Sequence, residues 1–401
     1  MKVLMISDSF FENLLYQENF LVKAYLKRGI EVSIITSTFD NVKDYYNDNY
    51  NTKSRVQVVK NSEYTLVRLP YTINFLNKIR KFSNITNYLR ENDPDLIFIH
   101  DIQFNIHEVV EFVKHSKKKI KLILDFHADY SNSGKNIISR LVLHKIIKGL
   151  YFKRYIKYFD AILPIVPDSM LFLAKLYGVP LNLMKLFPLG VDLEKSIYYL
   201  NGQYRNELRK KIGVQDNTLV IFTGGKLEPR KQTEQLMQVV SEFPQSAVHL
   251  IIVGDFVSCP ESYISDLKAI IASADNITHT GWLSANQVYE YMSASDLAIF
   301  PASQSVLWQQ SIGMGLPLLV GKYVNLDDGR CLDQRVEYLN FNENVIVLKD
   351  PKNKKQEIKE GIQKFLNPVV LSDYKEKSTY VASELLNYDR LVDLTLNIEL
   401  R

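Results

Sequence analysis

The chain reads as an α/β protein built from two doubly wound parallel sheets that face a cleft. Three observations carry that reading. Short apolar runs alternate with stretches of helical apolar spacing almost from end to end. The alternation passes through twice. It breaks once, between Pro188 and Gln203, where polar residues and Asn201-Gly202-Gln203 interrupt it. At 401 residues the length leaves room for roughly two to three domains.

The first series of strand candidates lies at 2–7, 31–36, 65–69, 95–100, 122–126, 161–166 and 185–189. A second series follows at 219–223, 249–254, 277–281, 297–302, 316–321 and 344–348. Each is a β-branched or aromatic run, short enough for a strand buried on both faces. Between them, a segment such as NFLVKAYLKRG (19–29) has i, i+3, i+4 apolar spacing and ends on Gly29, where a helix C-cap belongs. The expected division is therefore 1–188, 189–379 and a helical tail, 380–401, that crosses back onto the first domain.

Composition removes several functions. Apolar residues make up 46% and charged residues 23%, ordinary for a globular chain, and Lys+Arg exceed Asp+Glu only by 49 to 45. No nucleic-acid partner is expected from so small an excess. Cys259 and Cys331 form neither a metal motif nor a disulfide framework. No glycine precedes Gly29, so the first strand–helix turn lacks a GxGxxG dinucleotide fingerprint. The opening apolar run, Val3 to Ile6, is too short for a signal peptide, and no stretch approaches the ~18 apolar residues of a spanning helix. The expectation is a cytoplasmic protein, at most peripheral on the inner face of the cell membrane.

In open α/β sheets, ligands sit beyond the carboxyl ends of the strands, so strand ends are where chemistry is sought. The segment IFTGGKLEPRKQ (221–232) stops a strand at Gly224-Gly225 and follows it with Lys226, Arg230 and Lys231. Glycines allow close backbone approach to an anion, and lysines supply compact charge. Two readings fit: a diphosphate cradle, or an ordinary strand–turn–helix corner with solvated lysines. Three further strand ends keep it company. Within IIVGDF (251–256) a strand ends on Gly254; Gly281-Trp282-Leu283 precedes a helix; Ser303, Gln304, Ser305 and Val306 lead into a helix that carries Gln310 and ends near Gly313 or Gly315.

In content and order these segments resemble the retaining glycosyltransferases of family 4, which have the GT-B fold. The family's G-R-L-x-x-x-K-G segment corresponds to Gly225-Lys226-Leu227…Lys231-Gln232. Segments 158–180 and 187–192 are similar to its interdomain region, and 1–37 to its first-domain start, with Tyr16-Gln17-Glu18-Asn19 at the loop that commonly carries Gly-Gly. The resemblance implies that Lys226 and Lys231 bind the diphosphate of a nucleotide sugar, the UDP form foremost. Backbone groups near Ser305 and Val306 would cap that diphosphate, and Gly281-Trp282-Leu283 would lie along the base. Gln310 would hold the ribose, and His127 would stand close to the reacting sugar. Ser303 and Gln304, or backbone groups, would take over the donor-sugar hydroxyls. The family's Glu-x7-Glu pair is absent: Gln310 replaces the second glutamate, and the loop is too short for the first. Gln can still donate and accept hydrogen bonds to a ribose.

Other residues keep two readings each. His127, between Asp125 and Asp129, is a core histidine or a cleft residue. His100-Asp101 ends a strand as a cap or an acceptor contact, and Asp129 is counted with them on the acceptor side. Gln17 and Glu18 begin a helix or face the cleft. Asp93-Pro94-Asp95 precedes a strand and is a turn rather than a metal motif. No metal is expected, and no cofactor beyond the nucleotide diphosphate sugar as co-substrate. Basic segments 114–121, 78–81 and 144–157 are solvated faces or attachments to anionic lipid, at ~1 kcal/mol per basic residue.

The reading is thus a retaining, metal-independent transferase acting on a glycan or lipid-linked acceptor in bacterial surface polysaccharide synthesis. Its rivals are a catalytically silent sugar-nucleotide-binding subunit and a non-hydrolysing sugar-nucleotide epimerase of the same fold.

Overall fold

The computed structural model describes the chain except residues 13, 15, 40, 48–56, 61–62, 135, 258, 303, 325–330 and 333–334, together with the side chains of 46, 47, 60, 331 and 332. It falls into two units, Met1–Pro188 with Tyr388–Arg401, and Leu189–Asn387. Among the described residues no helix is long and apolar enough to cross a membrane.

The first unit is built on strands β1 (Lys2–Ile6), β2 (Glu31–Ser37), β3 (Gln57–Lys60), β4 (Thr65–Leu69), β5 (Tyr71–Phe75), β6 (Ile79–Phe82), β7 (Leu96–His100), β8 (Lys121–Phe126) and β9 (Ala161–Pro164). Seven of them form one sheet in the order β3-β4-β2-β1-β7-β8-β9. It is parallel except where β3 meets β4. The remaining two make a separate hairpin, β5–β6. The apolar runs forming the middle strands are buried almost completely, because helices cover both faces of a parallel sheet. The expected strand at 185–189 is not one. Lys185 and Phe187 donate to Ile162 and Pro164 of β9 at 3.0 and 2.9 Å, but Pro188, with no N–H, follows at once.

The second unit contains β10 (Leu219–Gly224), β11 (Val248–Val253), β12 (Ile277–His279), β13 (Leu297–Phe300), β14 (Leu318–Gly321), the short pair β15 (Tyr323–Val324) and β16 (Cys331–Leu332), and β17 (Val345–Leu348). Its six-stranded sheet runs β12-β11-β10-β13-β14-β17, parallel throughout. The polar break at 188–203 does not stay a linker. Asp192 Oδ1 accepts from Lys195 N at 3.1 Å and starts the helix Leu193–Asn201, a capping bond worth about 1 kcal/mol.

The tail changes unit at Tyr388 rather than at the expected 380. Val381, Ala382 and Leu386 are buried in the second unit's core, so the chain cannot leave it sooner. Beyond that point the helix Tyr388–Leu396 packs on Gln17–Lys27: Leu391, Val392 and Ile398 join the first unit's core. Arg28 fastens the helix by reaching Asp389 Oδ1 at 2.7 Å and Asp393 Oδ1 at 2.9 Å.

Candidate active site

In the second unit, three glycines lock the strand ends together. Gly225 N donates to Val253 O at 2.8 Å, and Gly254 N donates to Gly281 O at 2.9 Å. All three have positive φ, +108°, +122° and +69°, conformations open to glycine. At Gly254 a Cβ would lie 1.9 Å from Gly225 O, and at Gly224 one would lie 2.4 Å from Val253 O. Gly224 and Gly254 are thus required by backbone packed against backbone, a cause internal to the fold, and Gly225 and Gly281 by their positive φ.

This interlock shapes a cavity of about 370 Å³, lined by Gly225, Lys226, Glu228, Arg230, Lys231, Val253, Trp282, Leu283, Val288 and 304–307. Lys226 is exposed, and its ammonium has no partner among the described residues. Lys231 Nζ donates to the Gln304 carbonyl, tying the loop after β10 to the loop after β13. Trp282 presents an indole that is 57% exposed at the rim. Ser305 Oγ accepts from Leu307 N at 3.3 Å, and the helix Leu307–Gly313 begins beside it. Gln310 sits one turn in from that rim. Its side-chain Oε1 is buried with no partner among the described residues, a state that costs free energy unless a donor arrives.

Gly224, Gly254, Gly281 and Gln310 are not on the cavity wall, and Ser303 lies outside the described residues. Glu228 and Arg230 do line it, joined at 2.9 Å. Among the sequence features, only their place between the two lysines pointed to them.

In the first unit the strand ends carry paired charge. Asp125, at the end of β8, is fully buried. His100 Nδ1 donates to its Oδ2 at 2.7 Å, and His127 Nε2 lies 3.2 Å from the same oxygen. Burial alone would lower the His127 pKa; the Asp125 carboxylate overrides it and holds the imidazole protonated up to about 10. Burial likewise opposes the charge on Asp125, yet the two imidazoles push its pKa well below the ordinary range. The ligand atoms of this trio lie within 4.8 Å of one another, spacing that could admit a cation. The 2.7 Å contact is, however, a hydrogen bond, and both imidazoles already share Oδ2.

Around the trio, Asp101 Oδ1 accepts from His127 N at 3.2 Å. Glu18 lies in the first turn of the helix Gln17–Lys27, and its charge acts on both histidines. Gln17 is buried, and neither of its amide atoms has a partner among the described residues. Asp129 serves its own turn instead, where its Oδ1 accepts from Ser131 N at 2.7 Å and Asn132 N at 2.9 Å. Asp93 and Asp95 are turn residues, Asp95 Oδ2 accepting from Lys2 N at 2.7 Å. Nothing in the sequence pattern marked Asp8, which follows β1. It binds Arg80 Nη1 at 2.6 Å and Tyr45 OH at 2.9 Å. Lys148 was marked only as part of a basic segment; burial lowers its pKa and outweighs the charges of Asp101 and Asp8.

The two halves match two family models in order: Glycosyltransferase Family 4 over residues 20–195, and Glycosyl transferases group 1 over residues 204–319. A curated relative, alpha-galactosylglucosyldiacylglycerol synthase of Streptococcus pneumoniae, is 23% identical over 389 residues, covering 94% of this chain and 91% of its own. Among solved structures, Anabaena Alr3699/HepE in complex with UDP superimposes with a TM-score of 0.64 at 15% identity, covering 99% of this chain and 98% of that one. Sucrose-phosphate synthase from Thermosynechococcus elongatus gives 0.60 at 14%, covering 98% and 96%. With both models matched across most of its length and this architecture beneath them, the chain is a glycosyltransferase of the GT-B fold.

Proposed function

We propose that the protein transfers a sugar from a nucleotide diphosphate sugar, the UDP form foremost, to a glycan or lipid-linked glycan acceptor, with retention and without a metal. The observation that carries this reading is the cavity over β10, where Lys226 and Lys231 stand on one wall and 304–306 on another. Two ammonium groups there suit a diphosphate, and the exposed Trp282 ring at the rim suits a base. Gln310, one turn behind the cavity wall, would hold the ribose with its Oε1, which has no partner among the described residues. HepE was crystallised with UDP and with UDP-glucose, and the pneumococcal relative is named for a glycosylated diacylglycerol; both agree with this donor and acceptor class.

In the reaction, the bond between the anomeric carbon and the diphosphate oxygen loosens, and negative charge gathers on the leaving group. Lys226 and Lys231 stabilise that charge, an electrostatic contribution worth roughly 10²–10³ in rate per donor. The acceptor oxygen bonds to the anomeric carbon from the face the diphosphate leaves, and its proton passes to a phosphate oxygen. The products are the glycosylated acceptor and a nucleoside diphosphate. Surface polysaccharide synthesis is the proposed setting.

A thermal-shift series with uridine, guanosine and adenosine diphosphate sugars tests the reading. At about a hundred times Kd the favoured donor should add ~2.7 kcal/mol of stability, and the product's anomeric configuration by NMR should match the donor's. If no nucleotide sugar stabilises the protein, the donor assignment is wrong.

A further inference from the structure

The helix that follows the first unit's histidine cluster is inside out. It runs Ser139–Gly149 and continues Leu150–Lys153. The residues its first part buries are His144 and Gly149. His144 is held on both nitrogens, by Tyr177 OH at 2.7 Å and Ser133 Oγ at 3.0 Å. Gly149 packs so tightly that a Cβ would lie 2.9 Å from Leu176 O. Meanwhile Ile138, Leu141, Val142, Ile146 and Leu150 face outward, Ile138 being 74% exposed. A surface helix ordinarily does the reverse.

A second element adds to this face. At the tip of the β5–β6 hairpin, Phe75 and Leu76 are exposed, Leu76 to 75%. Leu76 has φ +52°, a left-handed conformation that is an outlier for a bulky residue and calls for a reason. The next residue but one, Lys78, is exposed, so this tip too pairs apolar side chains with a lysine. Exposed apolar side chains clustered on one helix face, with more at a hairpin tip of the same unit, mark an interaction site.

Charge identifies the partner. Residues 130–159 contain seven Lys and Arg and no Asp or Glu. Lys145, Lys153 and Lys78 are exposed, and none has an ion-pair partner among the described residues. In the basic segment 114–121, Lys114 holds Glu111 at 2.8 Å and Lys118 holds Asp95 at 3.0 Å. The lysines left unpaired there among the described residues, Lys117 and Lys119, flank no exposed apolar face. Apolar side chains ringed by unpaired lysines, on a helix with a polar inner face, fit an anionic bilayer surface and its interfacial zone. We infer that the face formed by Leu76, Ile138, Leu141, Val142, Ile146 and Leu150 docks on an anionic lipid bilayer, with Lys78, Lys145 and Lys153 on the headgroups. This gives the lipid-linked acceptor class proposed above a physical attachment, but it does not depend on the transfer reaction.

Co-sedimentation with vesicles of equal parts phosphatidylcholine and phosphatidylglycerol tests it. The protein should bind them at low salt and release at high salt, and should bind pure phosphatidylcholine weakly. Leu76→Glu with Ile138→Glu should abolish binding, and Lys145→Gln with Lys153→Gln should weaken it about thirty-fold. Val369→Glu, an equally exposed apolar site in the second unit, should leave binding unchanged. Thermal shift with UDP on the same variants should match the unaltered protein, separating lost docking from lost fold or lost donor site. The inference is overturned if the unaltered protein ignores anionic vesicles, or if the Leu76/Ile138 variant binds them equally well. It is also overturned if the patch instead holds two copies together, seen as a dimer that this variant alone dissociates.

Discussion

In the first unit the ionisable groups at the strand ends satisfy one another: Asp125 takes both His100 and His127, and Asp8 takes Arg80. In the second unit, Lys226 has no side-chain partner among the described residues, and the surrounding shape is set by glycine backbones. The contrast locates the free energy of each region. A paired, buried cluster contributes to the fold and holds its protonation state against changes in pH. An unpaired cation over a glycine frame is stabilised by little in the protein and is ready for an anion from outside.

Four substitutions put that contrast at risk. Asp125→Ala strips two imidazoles of their shared partner inside the core, and should cost about 3–5 kcal/mol in denaturant unfolding. A loss below ~1 kcal/mol would mean the cluster is not a buried ion pair. Lys231→Ala should lower the transfer rate roughly 10²–10³-fold. Lys226→Ala should also lower it while leaving unfolding untouched, since no described residue leans on its ammonium. Gly254→Ala drives a methyl onto Gly225 O and should destabilise the second unit by at least about 1–3 kcal/mol, read by hydrogen exchange at β10 and β11.

A weaker dependence on pH follows from the same cluster. The folded protein holds the His127 proton up to about 10, above the ordinary ~6.5. Its contribution is therefore complete below pH ~6.5 and is lost as pH rises through about 10. The melting temperature should fall across that window, and Asp125→Asn should flatten the slope.

Much of this architecture was legible because buried parallel strands are written as unbroken apolar runs, as in β10 and β11. The place of Lys226 and Lys231 at the end of β10 was legible from the glycine break that stops the strand, although the same residues also fit an ordinary corner with solvated lysines. What stayed hidden depends on residues far apart in sequence. Asp8 and Arg80 meet across 72 positions, and no local spacing announces them. Gly254 could be read as a close-approach glycine, but what approaches it, the Gly225 carbonyl, needed coordinates. The hairpin Tyr71–Phe82 and the helix Ser139–Gly149 escaped for another reason: many of their apolar residues, Phe75, Leu76, Leu141 and Ile146 among them, face outward, so apolar periodicity does not report their buried side.

The docking of Tyr388–Leu396 on the first unit has a consequence for biosynthesis. Leu391, Val392 and Ile398 complete a core whose other members lie before residue 188. During translation that core waits, partly uncovered, while some two hundred further residues are added, on the order of 10–40 s at ordinary elongation rates. The second unit can close as soon as its own sequence has emerged. The part of the protein made first is finished last, and ribosome-bound chains lacking only the final helix are where a chaperone would be needed most.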